Sequence, residues 1–317
     1  MHKAILSLAV AFGLAFQTGC IKSTLANGQI SATREAAGAF ETIGDYELAK
    51  SAAMAGMVQF EGMHKLAPDN EDALFMLMQG WTGYGYAFAE DDREAAMEAG
   101  DDDLAEYHRK RARMAYDRAI FYGVELLTHH DKGWNDARRN DALFKAWLKE
   151  NFDDKDDAEL LLWMGNAWLA RVQLNADEPA LVAELFIGIA FLEQSLRLDP
   201  AVQHYSAMTN LGAYHSRTVE AEPVIAKQMY ETAIAKTGRK TLIALVSYAK
   251  GYACVRAERP LYEKLLNEVL AADDPDPDQR LTNAVAKRRA KRYLGKKTMM
   301  DCGFDMSAPA APTAPKK

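Results

Sequence analysis

The chain has 317 residues, and 45 Asp and Glu against 38 Lys and Arg give it a formal charge of −7. Nucleic-acid binding needs clustered basic residues that neutralise phosphates, so this acidic balance argues against a nucleic-acid partner. The sequence contains no Cys-x-x-Cys, no His-Glu-x-x-His and no Gly-x-Ser-x-Gly motif, and its histidines form no ligand pattern. We therefore expect no enzyme, no metal site and no cofactor.

The first nineteen residues have the pattern of an export signal. A positively charged start precedes residues 4–16, an uncharged run that is too short to span a bilayer comfortably. Thr18–Cys20 then resembles the lipobox of bacterial lipoprotein signal peptides, although Gln17 stands where that pattern has a branched apolar residue. We predict a signal peptide over residues 1–19 and a lipid anchor on Cys20; the alternative is an ordinary signal peptide with an incidental cysteine.

The residues after the cut site indicate where the anchored protein resides. Ile21 rather than Asp follows the cysteine, so retention in the inner membrane is not signalled. We expect a protein that faces the periplasm from the outer membrane, held by several acyl chains. Residues 20–35 are mostly small and polar, and we interpret them as a tether.

Residues 36–297 predict helix almost throughout. Apolar residues recur every three or four positions, prolines lie at segment ends, and no stretch alternates with period two. The fold class is therefore all-α. The tail is rich in Pro and Ala, and we expect residues 298–317 to be flexible.

A spaced pattern occurs twice in the helical region. Gly56–Gly80 and Gly188–Gly212 keep the same spacing of small residues, large residues and one proline. The frame matches the second helix of a tetratricopeptide unit, its closing proline and the next helix. Fainter copies contain Tyr116 and Tyr230. We predict degenerate tetratricopeptide-like helical hairpin repeats in a single curled array; the alternative is a generic helical bundle.

Two aromatic-rich stretches, residues 80–88 and residues 162–168, are candidates for a binding surface. Residues 80–88 contain three glycines and four aromatics, and each glycine costs a helix about 1 kcal/mol relative to alanine. Close helix crossing with aromatics in the core is one explanation. The other is a cavity or pore wall for a small amphipathic ligand. In that case the lining residues are Trp81, Tyr84, Tyr86, Trp163 and Trp168.

Two charged runs also require an interpretation. Residues 90–103 carry eight carboxylates and one arginine without the spacing of a calcium loop, so we interpret them as a solvated insertion. The basic run Lys287–Arg292 suits the solvated C-terminal end of a helix, with a membrane-surface contact as the alternative.

Cysteine usage leaves one pairing open. If Cys20 carries lipid, Cys254 and Cys302 remain as an even pair in an oxidising compartment. A disulfide between them is one outcome, but the sequence does not show whether they approach each other.

A series of short motifs follows in order along the chain: Leu74–Gly80, Tyr86–Asp92, Ala115–Ala119, Leu161–Gly165, Glu193–Pro200, Met229–Ile234, Leu261–Asp273 and Asn283–Arg292. Over roughly residues 75–294 the chain thereby resembles the T-component lipoproteins of TRAP transporters, which are ATP-independent periplasmic uptake systems. The resemblance implies a tetratricopeptide-like periplasmic lipoprotein with a central pore. It also implies a homotrimer that docks with the solute-binding protein of the transporter.

Two functions from different classes are consistent with these observations. The first is a non-enzymatic accessory protein that binds or relays a small-molecule ligand for a TRAP-type system and contacts the membrane through its anchor. The second is a structural tetratricopeptide-type scaffold for outer-membrane or pilus assembly, which would bind peptide segments. Proteins that co-purify with the chain would discriminate between them.

Overall fold

The computed structural model describes residues 23–217 and 222–306, and all regular structure in these ranges is helical. This confirms the all-α prediction. Several helices begin where a side-chain oxygen accepts a hydrogen bond from the backbone N–H three residues ahead, which satisfies a group that the helix itself leaves unpaired. The residues that cap helices in this way are Asp45, Asn70, Asp101 and Asn140.

The N-terminal part of the described chain contains ten helical segments up to Leu174. They are α1 (residues 23–36), α2 (Gly38–Glu41), α3 (Tyr46–Leu66), α4 (Glu71–Tyr84), the π-helix π1 (Gly85–Ala89), α5 (Glu90–Ala99), α6 (Asp102–His130), α7 (Trp134–Ala137), α8 (Asp141–Asn151) and α9 (Asp157–Leu174). A turn at Ala37 separates the first two.

The C-terminal part continues in the same way. It contains α10 (Pro179–Val182), α11 (Leu185–Leu198), α12 (Val202–Arg217), α13 (Pro223–Lys236), α14 (Leu242–Tyr248), the π-helix π2 (Ala249–Ala253), α15 (Arg259–Ala271), a short 3₁₀ turn (Pro277–Gln279), α16 (Arg280–Tyr293) and α17 (Lys296–Asp301). Near the start of α12, Gln203–Tyr205 have positive φ angles, so the chain makes a left-handed turn there before the helix continues.

The two copies of the repeated frame each fall on a pair of helices joined by a short turn. Gly56–Gly80 spans α3 and α4, and Gly188–Gly212 spans α11 and α12. Pro68 and Pro200 lie in the corresponding turns, where a missing N–H donor does not interrupt a helix. The tetratricopeptide-like array and its central pore remain predictions.

The last long helix closes the array onto the first helices. Leu281 and Val285 of α16 are buried in the core formed by the N-terminal helices. Ala286 and Ala290 of the same helix are buried in the core formed by the C-terminal helices. Because α16 packs against α2, α3 and α5, it brings the C-terminal part of the described chain into contact with the N-terminal part.

Both predicted flexible ends are partly folded. Over residues 23–35 the predicted tether is the helix α1, whose Ala26 and Ile30 are buried in the core. At the other end, the predicted tail contains most of α17, and Met299 and Phe304 are buried against the C-terminal helices. In residues 23–35 the two buried positions lie among mostly small and polar residues, whereas the start of the tail is itself rich in Met. Residues 307–317, like residues 1–22, lie outside the described part.

One described stretch, Pro179–Leu198, is long and apolar enough to cross a membrane by length and composition. The chain interrupts it between α10 and α11, and Ile187–Leu192 of α11 are buried. Packing in the protein core therefore accounts for its apolar character.

Residues of the acidic run 90–103 form ion pairs with residues of the basic run Lys287–Arg292. The interpretation of both runs as solvated segments was therefore wrong for these paired residues. Asp91 in α5 is completely buried. Its carboxylate accepts hydrogen bonds from Arg288 Nε at 3.1 Å, Arg292 Nη2 at 2.8 Å and the Tyr46 hydroxyl at 3.1 Å. Glu94 accepts from Arg292 Nη1 at 2.8 Å. An acidic helix and a basic helix about two hundred residues apart in sequence thus form one ion-pair network.

The arginines keep the Asp91 carboxylate ionised. Burial alone would raise its pKa, but attraction to Arg292, a hydrogen bond from that residue and the charges of Arg289 and Arg288 lower the pKa below the ordinary value of 3.8. The stability that this carboxylate contributes is therefore present at neutral pH and is lost as the pH falls through the lowered pKa.

We expect Asp91→Asn to lower the free energy of unfolding by at least about 3 kcal/mol, because it removes the charge that compensates two arginines at a buried site. Glu47→Gln is the matched control. Glu47 pairs with the same Arg288 at 3.7 Å, but its side chain is 73% exposed, and such pairs contribute about 0–1 kcal/mol. Urea unfolding of the two variants measures both effects, and equal losses would contradict the assigned role of Asp91.

Candidate functional site

The five aromatics predicted to line a cavity do not form one group. Trp168 in α9 is 1% exposed and belongs to an aromatic core cluster, with ring centroids 5.7 Å from Trp134 and 6.4 Å from Phe191. Trp163, one turn earlier, is half-buried, and its Nε1 donates to Glu159 at 3.4 Å. Trp168 therefore lies in the core, whereas Trp163 is only half-buried.

The aromatics of α4 have partners of their own. Trp81 is half-buried, and its Nε1 donates to Glu61 Oε1 at 3.0 Å. Tyr84 is buried, its ring contacts Phe88 with centroids 6.1 Å apart, and its hydroxyl accepts a hydrogen bond from Arg111. Both side chains pack between α4 and its neighbours α3 and α6.

Tyr86 lies in π1, a helix type that often occurs at functional sites. The first residue of π1 must be small, because a Cβ on Gly85 would lie 2.8 Å from ring carbons of Tyr116. Two backbone carbonyls of π1 accept side-chain donors: Tyr86 O from Arg289 Nη2 at 2.6 Å and Ala87 O from the Tyr46 hydroxyl at 3.2 Å. The π-helix therefore fixes both the tyrosine and the arginine beside it.

The second π-helix, π2, uses the same combination of a glycine and a buried tyrosine. A Cβ on Gly251 would overlap the hydroxyl oxygen of Tyr230. Tyr230 is completely buried and stacks on Tyr248 with ring centroids 4.9 Å apart. Its hydroxyl has no hydrogen-bond partner in the described ranges, so an unsatisfied polar atom lies against π2.

Arg289 is a buried charge near these helices; burial lowers its pKa, but attraction to Tyr86, to Glu94 and to other nearby groups raises it overall. The residue is 4% exposed, and its guanidinium lies over the Tyr86 ring at 4.1 Å from the centroid. One nitrogen donates to the Tyr86 carbonyl, but Nε is buried without a partner. Among the described residues, no carboxylate oxygen lies within ion-pair distance of this guanidinium, unlike those of its neighbours Arg288 and Arg292.

Tyr86 is open to solvent although it lies among buried side chains. The residue is 36% exposed, yet desolvation is the main reason that its pKa is raised. Its hydroxyl is close enough to those of the buried Tyr116, Tyr230 and Tyr293 to contribute to their raised pKa values. Part of Tyr86 therefore reaches solvent while its hydroxyl lies near those of buried tyrosines.

Two further titratable groups lie near these tyrosines. Glu90 accepts a hydrogen bond from the Tyr116 hydroxyl, and burial raises its pKa, although the charge of Arg289 opposes this shift. Burial lowers the pKa of Lys250 in π2, and Arg217 lowers it further, while Glu94 opposes this shift. The Lys250 ammonium lies 5.4 Å from the centre of the Tyr293 ring.

We call these neighbouring residues the interior cluster: Tyr86, Glu90, Tyr116, Tyr230, Lys250, Arg289 and Tyr293. It combines aromatic surface, unsatisfied donors and an excess of positive charge. These are features of a binding site for a small molecule.

A disulfide lies next to the interior cluster. The structure joins Cys254, directly after π2, to Cys302, with the two Cα atoms 4.9 Å apart. This resolves the pairing that the sequence left open. Lys250 Nζ lies 3.8 Å from Cys302 Sγ, so the bond holds the C-terminal segment beside the lysine.

Of the residues predicted to bind ligand, Tyr86 alone belongs to the interior cluster. The others in the cluster were missed, although two had a signal. Tyr116 and Tyr230 occupy the same position in the fainter copies of the repeat, each between two alanines. These alanines, Ala112, Ala119, Ala226 and Ala233, are buried. Arg289 was hidden within a basic run that was interpreted as solvated.

We expect Gly251→Ala to lower the free energy of unfolding by about 1–3 kcal/mol, because the added Cβ displaces the Tyr230 ring or π2. Tyr230→Phe removes an unsatisfied hydroxyl and should recover most of this loss in the double variant. Gly62→Ala is the control, since Gly62 is exposed in α3 and no atom lies within 4 Å of its added Cβ. Denaturant unfolding measures each variant; the same loss in both Tyr230 backgrounds would refute the contact.

A family-level comparison agrees with the motifs in the sequence. The model of the TRAP transporter T-component family matches residues 43–300, which include the whole interior cluster. No curated protein matches the chain. The family is an accessory transport component and not an enzyme family. The match extends beyond the 75–294 stretch in which the motifs were found, and it covers most of the protein. The chain therefore belongs to the TRAP transporter T-component family.

Proposed function

We propose that this chain is a lipid-anchored, periplasm-facing accessory protein of a TRAP-type uptake system. It binds or relays a small ligand and docks with the solute-binding protein of that system. The observation that carries the proposal is the family match over residues 43–300. The all-helical fold adds support, because packed helices offer extended surfaces for binding.

The interior cluster is the proposed ligand site, at the wall of a central pore. Tyr86 supports this location because its ring is solvent-reachable while buried tyrosines surround it. Trp81, Tyr84, Trp163 and Trp168 remain predicted lining residues, but their contacts with Glu61, Arg111, Glu159 and core aromatics favour a structural role.

The proposed anchor would hold the protein close to its membrane, which we propose is the outer membrane. Cys20 lies outside the described residues, and the first described residue, Ser23, is already helical. Three residues of chain span at most roughly 10 Å. The folded array would therefore lie against the bilayer instead of extending from it on a long tether.

We also propose a homotrimer and a surface that supports it. The long helix α6 exposes Tyr107, Met114 and Phe121 at seven-residue intervals, with 55%, 70% and 62% of each residue exposed. This spacing places the three side chains on one stripe of the helix, as in helices that pack against a partner helix. We propose that a second copy of the chain covers this stripe.

We expect Cys20→Ser to release the protein from membranes, because no acyl chain can then be attached. A double variant, Cys254→Ser with Cys302→Ser, is the matched control and should stay in the membrane fraction. Fractionation of cells that produce each variant measures the distribution. Retention of Cys20→Ser in the membrane would contradict the anchor.

Affinity purification of the detergent-extracted protein from its native cells, followed by native mass spectrometry, tests the function. We expect a periplasmic solute-binding protein in the complex and three copies of the chain. Phe121→Asp should reduce the copy number, whereas Val224→Asp, at a residue 78% exposed on α13, should not. Recovery of pilus or outer-membrane assembly proteins without a solute-binding protein would favour the scaffold function instead.

A further inference from the structure

The disulfide between Cys254 and Cys302 differs in exposure at its two ends. Cys254 is half-buried and begins an exposed turn, in which Val255 is 43% exposed. Cys302 is only 7% exposed and lies among the buried residues of the C-terminal core. A thiolate that attacks a disulfide bonds to one sulfur, and the other sulfur leaves. An external thiol can therefore reach Cys254 Sγ, with Cys302 Sγ as the leaving group.

The leaving sulfur has a cation beside it. Lys250 Nζ lies 3.8 Å from Cys302 Sγ, and of the described residues Lys250 alone donates a hydrogen bond to either sulfur. A buried thiolate without such a partner would be costly, whereas an adjacent ammonium stabilises it and makes it a better leaving group. Burial lowers the pKa of Lys250, so this ammonium also gives up its proton more readily than one in water does.

The acid nearest to Cys302 in sequence has a smaller influence on the sulfur. Asp301 pairs with Lys297 at 3.7 Å, and their side chains are 62% and 48% exposed. Solvent therefore screens this pair, and its two charges act on Lys250 in opposite directions. The buried lysine is the charge that distinguishes Cys302 from Cys254.

Non-covalent contacts would keep the two cysteines close to each other after reduction. Phe304, two residues after Cys302, is buried against Tyr262 with ring centroids 5.0 Å apart. Arg259 Nη1 donates to the Asp305 carbonyl at 2.6 Å. The C-terminal segment therefore stays next to α15 when the covalent bond is broken, and the bond can form again in the same place.

We propose that the Cys254–Cys302 pair is a reversible thiol–disulfide exchange site for the dithiol of a redox protein, and that Lys250 directs the attack to Cys254. A thiolate of the dithiol attacks Cys254 Sγ and forms a mixed disulfide as the bond to Cys302 breaks. The electron pair leaves with Cys302 Sγ, to which Lys250 donates a proton. The second thiol of the dithiol then attacks its own partner sulfur in the mixed disulfide and releases Cys254 as a thiol. Overall, two electrons and two protons pass from the dithiol to the cysteine pair, and Lys250 regains its proton from water.

Exchange changes how the C-terminal segment is held, and neither a ligand nor the lipid anchor takes part in it. Reduction removes the covalent link between the end of π2 and the end of α17, and oxidation restores it. The exchange site is therefore independent of the proposed transport function, and either can fail without the other.

The first test uses the full lipoprotein in detergent and reduced glutathione as the attacking thiol. The reaction is stopped with acid, free thiols are blocked with N-ethylmaleimide, and mass spectrometry examines the two cysteines on separate tryptic peptides. We expect glutathione on Cys254 and the blocking group on Cys302. The same protein unfolded in urea should carry glutathione on both cysteines to a similar extent, because Lys250 and burial then favour neither sulfur.

Variants at Lys250 test its role through the rate at which dithiothreitol reduces the bond. Lys250→Met should slow reduction about tenfold, because the leaving sulfur loses its cation, and Lys250→Arg should keep most of the rate. Lys297→Gln is the matched control, since it removes one positive charge from an exposed position of the same segment and should leave the rate unchanged. A variant that merely loosened the structure would expose the bond and speed its reduction, so slower reduction separates the assigned role from damage to the fold.

Three results would overturn the exchange site. In the first, the folded protein resists both thiols and reacts only when it is unfolded. In the second, glutathione adds to Cys302 of the folded protein as readily as to Cys254. In the third, folded Lys250→Met is reduced as fast as the wild type or faster. The wild-type reaction with glutathione decides the first two even if Lys250→Met does not fold, and removal of the thiol should restore the original bond.

Discussion

The buried carboxylate of Asp91 is the interaction on which the arrangement of the array depends. A charge that is completely buried must be paired, and its partners lie on the last long helix, about two hundred residues away in sequence. Pairing therefore brings α16 against α5 and closes the two ends of the described chain together. It also sets the rotation of α16 about its own axis. With Arg288 and Arg292 held by Asp91, the helical period directs Arg289 toward π1, where the interior cluster forms.

The two π-helices show how a regular helical array makes room for a polar interior. Each places a glycine against a buried tyrosine from a neighbouring helix, Gly85 with Tyr116 and Gly251 with Tyr230. Each also interrupts the α-helical hydrogen-bond pattern, and in π1 the carbonyls of Tyr86 and Ala87 accept bonds from side chains on other helices. An uninterrupted α-helix would satisfy those carbonyls internally and would not position Arg289 in this way.

Local patterns in the sequence were sufficient for the helices but not for the site. Periodicity and prolines identify α3, α4, α11 and α12, because those signals act over a few residues. The charged runs were misjudged because a run of like charges has the same appearance whether water or a distant helix neutralises it. The aromatics were ambiguous for a similar reason: Tyr86 and Trp168 occupy similar helical patterns, yet Tyr86 is 36% exposed and Trp168 is in the core. Only tertiary packing separates them.

The elements on both sides of the interior cluster are fixed by interactions that are distant in sequence. On one side, the Asp91 network holds α5 and α16 together. On the other, the disulfide between Cys254 and Cys302 restrains the C-terminal segment beside Lys250 and π2. A crosslink that closes a loop of this length contributes about 4 kcal/mol in the chain-entropy model. With both sides restrained, the groups of the interior cluster are held in place relative to one another. Groups that are fixed before a ligand arrives lose little freedom on binding, which is how a preorganised site gains affinity.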